Sequence, residues 1–355
     1  MWRTERRHAL RVTAALALPG AMLVLADRPA WLVYAVFGAF AGMYGRSTRG
    51  RARTVQQARA ALLLATGVGI GALLAWAAVP AAVVVAVVAA FSIVGSLAAD
   101  RWLLRPAGPF FPIFALGAVA IGPVDPARPD QALGICLLAA ACAIALGVRR
   151  GARRRLPAPG GILGTAAAVH AIRYATAVGA AGAVALAAGF ANPNWAMAAA
   201  AVPLAVIDVG RPAGWELRTV LIRAGHRLGG TLLGLVATAG LLLADPPAWI
   251  LATIAIALLY PTEVFMVRHY GVAIGFFTPL IMVITSLGAP MAPSQMLTAR
   301  VADTVIGLTA GIAVAIVVRG GGPGAPALPS AGAICGPAAE PQDRLSPAQR
   351  RPARA

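Results

Sequence analysis

Residues 60–99 read AALLLATGVGIGALLAWAAVPAAVVVAVVAAFSIVGSLAA, forty consecutive positions without a charged side chain. A helix that crosses the hydrocarbon core of a bilayer needs about 20 apolar residues. Because lipid offers no hydrogen-bond partner, the backbone of such a stretch must bond to itself, and it forms helices. The run is too long for one span, and Pro80 divides it. The stretch therefore predicts two membrane helices joined by a short turn.

Uncharged runs of similar character recur along the whole chain, so the predicted fold class is all-α, a polytopic membrane helix bundle. The sequence predicts about twelve transmembrane helices arranged as two parallel six-helix repeats. The predicted spans are 9–26, 29–46, 60–78, 80–98, 107–124, 131–148, 168–189, 194–209, 227–244, 247–264, 270–288 and 300–318.

The composition agrees with a membrane protein and argues against several other classes. Hydrophobic residues make up 59% of the chain and charged residues 12%, against about 25% charged in a soluble domain. The net charge of +18 does not indicate nucleic-acid binding, because the cations lie between apolar runs. The sequence has no visible nucleophile–base–acid set, nucleotide-binding loop or metal-ligand cluster. We therefore expect no enzyme, no cofactor and no metal.

The positions of the arginines predict the orientation of the bundle. All 30 basic residues are arginine, and with the N-terminus in the cytoplasm 27 of them fall on the cytoplasmic side. The exceptions are Arg28, Arg128 and Arg300. This strong positive-inside bias predicts a multi-pass protein of the cell (inner or plasma) membrane with both termini cytoplasmic.

The two halves of the chain resemble each other in sequence. His8-Ala-Leu-Arg11 opens the first predicted span, and His170-Ala-Ile-Arg173 opens the seventh. Further pairs follow in the same order: Trp31 with Trp195, Ala65-Thr66 with Gly230-Thr231, Phe110-Phe111 with Phe276-Phe277, and Asp130 with Asp303. The predicted domains are a first membrane half at 1–148, a short Arg-rich cytoplasmic linker at 149–167, a second membrane half at 168–319 and a disordered cytoplasmic tail at 320–355.

Ionisable residues inside a span are costly, so they are functional candidates. Asp303 and Arg300 lie three apart on one helical face, so Arg300 can neutralise Asp303. Either Asp303 carries a proton during transport and Arg300 holds a substrate carboxylate, or the two form a structural bridge. Asp130 beside Arg128 is the first-half counterpart, either functional or a solvated helix cap.

Two more acidic residues lie at predicted span ends. Glu263 is either a proton acceptor that faces a cavity or the surface partner of Arg268. Asp208 is either a transport residue or a bridge to the arginines that follow it.

Aromatic, arginine and small residues complete the candidate site. Trp31 and Trp195 either stack on an aromatic ligand or anchor the helices at the interface. We expect Thr66 and Thr231 to hydrogen-bond across helices, and Arg227 to snorkel to the cytoplasmic interface or gate the mouth there. Four Gly-x-x-x-Gly pairs are expected to let helices approach closely: Gly38/Gly42, Gly67/Gly71, Gly230/Gly234 and Gly307/Gly311.

Two motifs in the second half carry a family resemblance. Residues 227–234 read RLGGTLLG, and residues 300–307 read RVADTVIG. Together they resemble the fusaric acid resistance protein family, also called the aromatic acid exporter or integral membrane bound transporter family. The first half departs from the pattern, with Leu62 opposite Arg227 and Ala127 opposite Arg300. The linker also leaves no room for the large soluble domain that many members carry.

The resemblance implies proton-driven export of small organic, often aromatic, acids. Arg227, Thr231 and Gly234 are then a motif or gate at the cytoplasmic mouth. The expected partners are the lipid bilayer, a small organic anion and protons, and a homo-oligomer is compatible with the sequence. Two alternatives stay open at this point: a passive anion channel, and a non-transporting protein associated with the cell envelope.

Overall fold

The structure is a computed structural model that describes residues 2–46, 48, 50–104, 108–122, 124–148, 164–205 and 213–318. Within these residues the chain forms α-helices, short 3-10 turns and no strand. The structure thus confirms the predicted fold class, an all-α membrane helix bundle. The helices are α1 Trp2–Leu25, α2 Leu32–Ala39, α3 Arg51–Trp76, α4 Ala81–Trp102, α5 Phe110–Ile121, α6 Pro129–Gly147, α7 Thr165–Ala187, α8 Pro193–Leu204, α9 Ala213–Leu243, α10 Ala248–Phe265, α11 Tyr270–Gly288 and α12 Pro293–Val317.

Nine of the twelve described helices are long and apolar enough to cross a membrane. The other three, α2, α5 and α8, have 8, 12 and 12 residues and so reach only about 12–18 Å at 1.5 Å per residue. By length and composition, the described helices therefore support nine of the twelve predicted spans. Hydropathy detects an apolar run, but it does not distinguish a helix in contact with lipid from a short helix packed inside the protein. Every residue of α2 and α8 is buried.

Proline sets several helix boundaries. Pro80 stands between α3 and α4 as the N-cap of α4, which confirms the predicted break in the forty-residue run. Pro129, Pro193 and Pro293 each occupy the first position of a helix, where the missing N–H costs nothing.

The same neighbours pack together in each half. Helix α3 packs against α5, and α9 packs against α11. Helix α2 packs against α6, and α8 packs against α12. The two most extensive contacts between the halves are those of α4 with α7 and of α10 with α1, and α5 also packs on α8.

The four glycine pairs lie at close approaches between helices. A Cβ atom added to the first glycine of each pair would collide with a carbonyl oxygen of the neighbouring helix. The predicted role of these glycines is confirmed. The contacts are Gly38 with Cys136, Gly67 with Pro112, Gly230 with Gly271, and Gly307 with Ala196.

Contacts between loops define two ends of the bundle. At one end, which we call the arginine-rich end, Arg46 contacts Glu263, Arg268 contacts Glu5, and the Tyr44 hydroxyl donates to the Gly108 carbonyl. At the other, which we call the far end, the Val124 amide donates to the Gly288 carbonyl and the Ala127 amide to the Tyr34 hydroxyl. Helices α1, α5 and α11 thus begin at the arginine-rich end, and α2 and α10 end there.

Helices α9 and α12 begin earlier than the sequence predicted. Helix α9 starts at Ala213 instead of residue 227, and α12 starts at Pro293 instead of residue 300. Consequently Arg227 does not enter its helix at the mouth but lies almost four turns inside it, and Asp303 lies almost three turns inside α12. The prediction of these starts was wrong because the polar residues that precede each apolar run also form helix.

Candidate functional site

A cavity of about 230 Å³ opens between the two halves at the arginine-rich end. The first half contributes residues 43–46, which follow α2, and the start of α5, and the second half contributes residues of α8 to α11. Among the described residues, its lining combines arginine and aromatic side chains with a single carboxylate. The lining residues are Met43, Tyr44, Arg46, Phe110, Phe111, Val202, Ala205, Arg223, Arg227, Glu263, Met266, Val267, Tyr270, Ile274 and Phe277.

Two arginines of α9, one turn apart, form the basic wall of this cavity. The Arg223 guanidinium lies 3.2 Å from the ring centroid of Tyr270. The Arg227 guanidinium lies 5.7 Å from the ring of Phe110 and 5.8 Å from that of Phe277. Aromatic faces stabilise these cations, and Tyr270 also forms a side-chain hydrogen bond with Arg223. The Nε of each arginine has no hydrogen-bond partner in the described part of the chain. The wall can therefore donate charge-assisted hydrogen bonds to an anion.

Glu263 faces the same cavity and is held by the first half of the chain. Its carboxylate is fully buried, and its Oε2 lies 2.6 Å from Arg46 and 3.2 Å from His8 Nε2. Arg46 also donates to the Glu263 carbonyl at 3.2 Å. The expected surface pair between Glu263 and Arg268 is wrong, since Arg268 donates to Glu5 at 3.0 Å. The pairing with Arg46 joins α10 to the first half.

The charges of the described residues that line the cavity do not cancel. Arg46 and Glu263 neutralise each other, and Arg223 and Arg227 remain within this described lining. Because the remaining lining is largely apolar and aromatic, the site suits an organic anion that carries a ring.

A second buried polar group lies within the second half, where α8 meets α12. Arg300 is 1% exposed, and its guanidinium lies 5.1 Å from the Trp195 ring. Asp303 is fully buried, and neither of its carboxylate oxygens has a hydrogen-bond partner among the described residues. The expected bridge, in which Arg300 neutralises Asp303 directly, is therefore not formed as a hydrogen bond, because the guanidinium stacks on Trp195 instead.

The first-half counterparts of these residues lie in different surroundings. Asp130 is in the first turn of α6, with its side chain 67% exposed, and pairs with Arg128 at 3.2 Å. The expectation that Asp130 and Asp303 occupy matching helix starts is wrong, because α12 begins ten residues before Asp303. Trp31 is half-buried beneath the Arg28 guanidinium, at 5.1 Å. Neither Trp31 nor Trp195 lines the cavity.

The remaining candidate residues are Gly234 and Thr231 on α9, Thr66 on α3, and Asp208, which lies outside the described residues. Gly234 lies against Thr278 and Gly275 of α11. Thr231 is fully buried, and its hydroxyl has no partner in the residues described, whereas Thr66 is exposed and bonds to Leu62 of its own helix. The expected cross-helix bonds of these threonines are therefore absent from the described contacts. Asp208, residues 149–163 of the linker predicted at 149–167, and the tail predicted at 320–355 lie outside the described residues.

Sequence reasoning missed several residues that build the cavity. Arg46 and Arg223 are not among the candidate residues that the sequence indicates. Neither has a local signal, because each becomes significant only through contacts with residues that are distant in the chain. The Phe110-Phe111 and Phe276-Phe277 pairs were a visible signal, and three of these four rings line the cavity.

This fold defines a multi-pass helical membrane protein with a cavity lined by arginine and aromatic side chains between its two halves. Residues 178–314 match the family model of fusaric acid resistance protein-like sequences, which confirms the resemblance expected for the second half. A segment of 146 residues is 31% identical to the uncharacterized membrane protein YvaC of Bacillus subtilis (strain 168). This match covers 41% of the present chain but 22% of YvaC. No solved structure matches the chain significantly.

Proposed function

We propose that this protein is a membrane transporter that exports small organic acids, including aromatic acids and related toxic compounds, by a proton-coupled mechanism. The observation that carries the proposal is the basic wall of the cavity, where Arg223 and Arg227 rest on aromatic rings and the Nε of each has no hydrogen-bond partner among the described residues. A carboxylate can bind these donors while its ring packs on Phe110, Phe277 and Tyr270. The protein then moves its ligand and catalyses no reaction.

The two halves act in this proposal as parallel repeats related by a pseudo-two-fold axis along the membrane normal. The repeated packing of α3 on α5 and α9 on α11 supports it, as does the reciprocal packing of α4 on α7 and α10 on α1. Such an arrangement places a binding site between the halves, which is where the cavity lies. All twelve helices then lie at membrane depth, with the short α2, α5 and α8 buried among the others.

We assign the arginine-rich end to the cytoplasm of the cell membrane. The basic residues that follow α2 and those in the first turns of α9 support this orientation through the positive-inside rule. The cavity then faces the cytoplasm, where an exporter must collect its substrate.

Proton coupling needs a carboxylate that can gain and lose a proton away from bulk water, and two candidates fit. Glu263 is buried in the cavity wall, and Asp303 is buried between α8 and α12 without a hydrogen-bond partner in the described structure. Uptake of a labelled aromatic acid into inside-out vesicles with an imposed proton gradient tests the coupling. We expect Asp303→Asn to lose the gradient-driven part of uptake, and intact coupling in this variant excludes Asp303 as the carrier.

The same protein also serves to distinguish the proposed transporter from a passive anion channel. Planar-bilayer recording of a transporter shows no sustained ohmic current, whereas a channel gives a current that is independent of the proton gradient. A deletion strain that exports organic acids normally but has a fragile envelope favours the third reading, a non-transporting envelope-associated protein.

A further inference from the structure

Two separate cavities lie along the same seam between the halves. The large cavity takes residues from positions 43–46, which follow α2, from the start of α5 and from the start of α11. A small cavity of about 20 Å³ takes residues from the start of α2, the end of α5 and the end of α11. The small cavity therefore lies toward the far end, on the same seam between the halves. Its lining residues are Ala30, Val33, Val36, Phe37, Phe114, Ala118, Gly122, Ile281, Ile284, Thr285 and Gly288.

Six phenylalanine rings fill the seam between these two cavities, and we call them the phenylalanine cluster. Three of them line the large cavity, two line the small one, and Phe40 lines neither. All six are at most 7% exposed. The cluster consists of Phe37 and Phe40 near α2, Phe110, Phe111 and Phe114 on α5, and Phe277 on α11.

Ring contacts run without a break from one cavity to the other. Phe40 lies 4.8 Å from Phe111 and 6.2 Å from Phe277 on the side of the large cavity. It lies 5.7 Å from Phe37 on the side of the small cavity, and Phe37 lies 5.5 Å from Phe114. These distances are typical of packed aromatic pairs.

Such a cluster is a barrier to ions that can open at low cost. An apolar constriction excludes water and charge, because an anion there loses its hydration and gains no hydrogen bond. Phenylalanine rings have no polar atoms, so they can change rotamer without breaking a hydrogen bond. The cluster also has a cationic edge, since Arg227 lies within 6 Å of the Phe110 and Phe277 ring centroids. An anion bound to Arg227 therefore lies directly against the barrier.

We infer that the phenylalanine cluster is the closed gate of the translocation path, and that the small cavity beyond it is the vestibule on the far side. This inference rests on the proposed transport function and adds the route, which follows α2, α5 and α11 along the seam between the halves. The buried polar groups around Arg300 and Asp303, between α8 and α12, then lie beside the route and not on it.

The test measures the passive leak of chloride, which requires no knowledge of the natural substrate. Purified protein is reconstituted in liposomes loaded with potassium chloride, and valinomycin carries the potassium. We expect Phe277→Ala and Phe40→Ala each to raise chloride efflux by about tenfold or more, the change that corresponds to a barrier roughly 1.4 kcal/mol lower. Phe277→Leu keeps an apolar side chain of intermediate size and is expected to give an intermediate leak.

Phe276→Ala is the matched control. Phe276 is the chain neighbour of Phe277 and also lies on α11, but its ring stacks on Phe265 at 6.0 Å and lines neither cavity. We expect its leak to equal that of the unmodified protein. An equal rise in Phe276→Ala and Phe277→Ala means general loosening of the bundle and overturns the gate.

Uptake of a labelled aromatic acid by the unmodified protein distinguishes failure of the gate from failure of the proposed function. If uptake is present and Phe40→Ala, Phe277→Ala and Phe277→Leu all remain tight to chloride, the route is wrong and the function stands. If the unmodified protein shows no uptake and the variants show no leak, the proposed function fails together with the gate.

Discussion

The two halves use the same helix packing but bury different chemistry. In each half a pair of glycines on the third helix lies against carbonyl groups of the fifth helix. Three residues before the first glycine, the first half buries Leu64 and the second half buries Arg227. One residue after it, the first half buries Val68 and the second half buries Thr231.

This difference indicates that the helix contacts, which we call the frame, can stay the same while the buried residues available to a ligand differ. The glycine contacts that hold the helices together recur in both halves, whereas three of the four buried arginines among the described residues lie in the second half. The second half is also the part that matches the family model. The first half contributes Arg46 and three of the cavity's aromatic rings, but its own interior at the α3–α5 contact is apolar.

The largest expected effect comes from the ion pair that links the halves. Glu263→Gln leaves Arg46 partly buried without its counter-charge, which is expected to destabilise the protein by about 3–5 kcal/mol. Thermal unfolding in detergent measures the loss. Unchanged stability in Glu263→Gln means that the pair does not hold the halves together.

The second-largest effect is expected from a substitution that removes the chemical difference between the halves. Arg227→Leu makes α9 resemble α3, and it is expected to weaken binding of benzoate about 10- to 100-fold, because a charge-assisted hydrogen bond contributes roughly 1.5–3 kcal/mol. Equilibrium dialysis with labelled benzoate measures the affinity. The control is Arg218→Leu, an exposed position of the same helix, where affinity is expected to stay the same. Equal affinity in the two variants contradicts a role for the basic wall.

A third prediction tests whether the two halves share their frame. Gly67→Ala and Gly230→Ala each place a Cβ atom against a carbonyl oxygen of the neighbouring helix, and each is expected to destabilise the protein by roughly 1–3 kcal/mol. Gly229→Ala is the control, because no atom lies within 4 Å of its added Cβ, and it is expected to stabilise α9 by about 0.5–1 kcal/mol. A loss confined to one half disproves the common frame.

The smallest effect concerns the exposed ion pair of the first half. Asp130→Asn breaks a contact between side chains that are 73% and 67% exposed, and such pairs contribute about 0–1 kcal/mol. We expect no measurable change in unfolding temperature or in transport. A large loss of transport in Asp130→Asn means that Asp130 has a functional role.

Much of the fold was predictable because it depends on local patterns. The break at Pro80, the start of α8 at Pro193 and the four glycine contacts all follow from short motifs. The register between halves was less certain: the sequence set Leu62 opposite Arg227, whereas the glycine contacts place Leu64 there. In a chain rich in alanine and glycine, a shift of two residues leaves many matches intact.

The site was less predictable, because it depends on contacts between distant residues. Glu263 was expected either in a cavity wall or paired with Arg268, five residues away. Its partner Arg46 lies 217 residues away in sequence, and no local pattern connects them. Likewise, hydropathy places an arginine such as Arg227 at a membrane surface, although neighbouring aromatic rings can hold it inside the protein.

The location of a bound aromatic acid tests the central claim most directly. A structure with 4-bromobenzoate, read from the anomalous signal of bromine, locates the ring without assumptions about function. We predict a single site in the cavity between the halves, with the carboxylate at Arg223 and Arg227 and the ring against Phe110, Phe277 or Tyr270. Bromine density between α8 and α12, beside Arg300 and Trp195, with an empty cavity, contradicts the account.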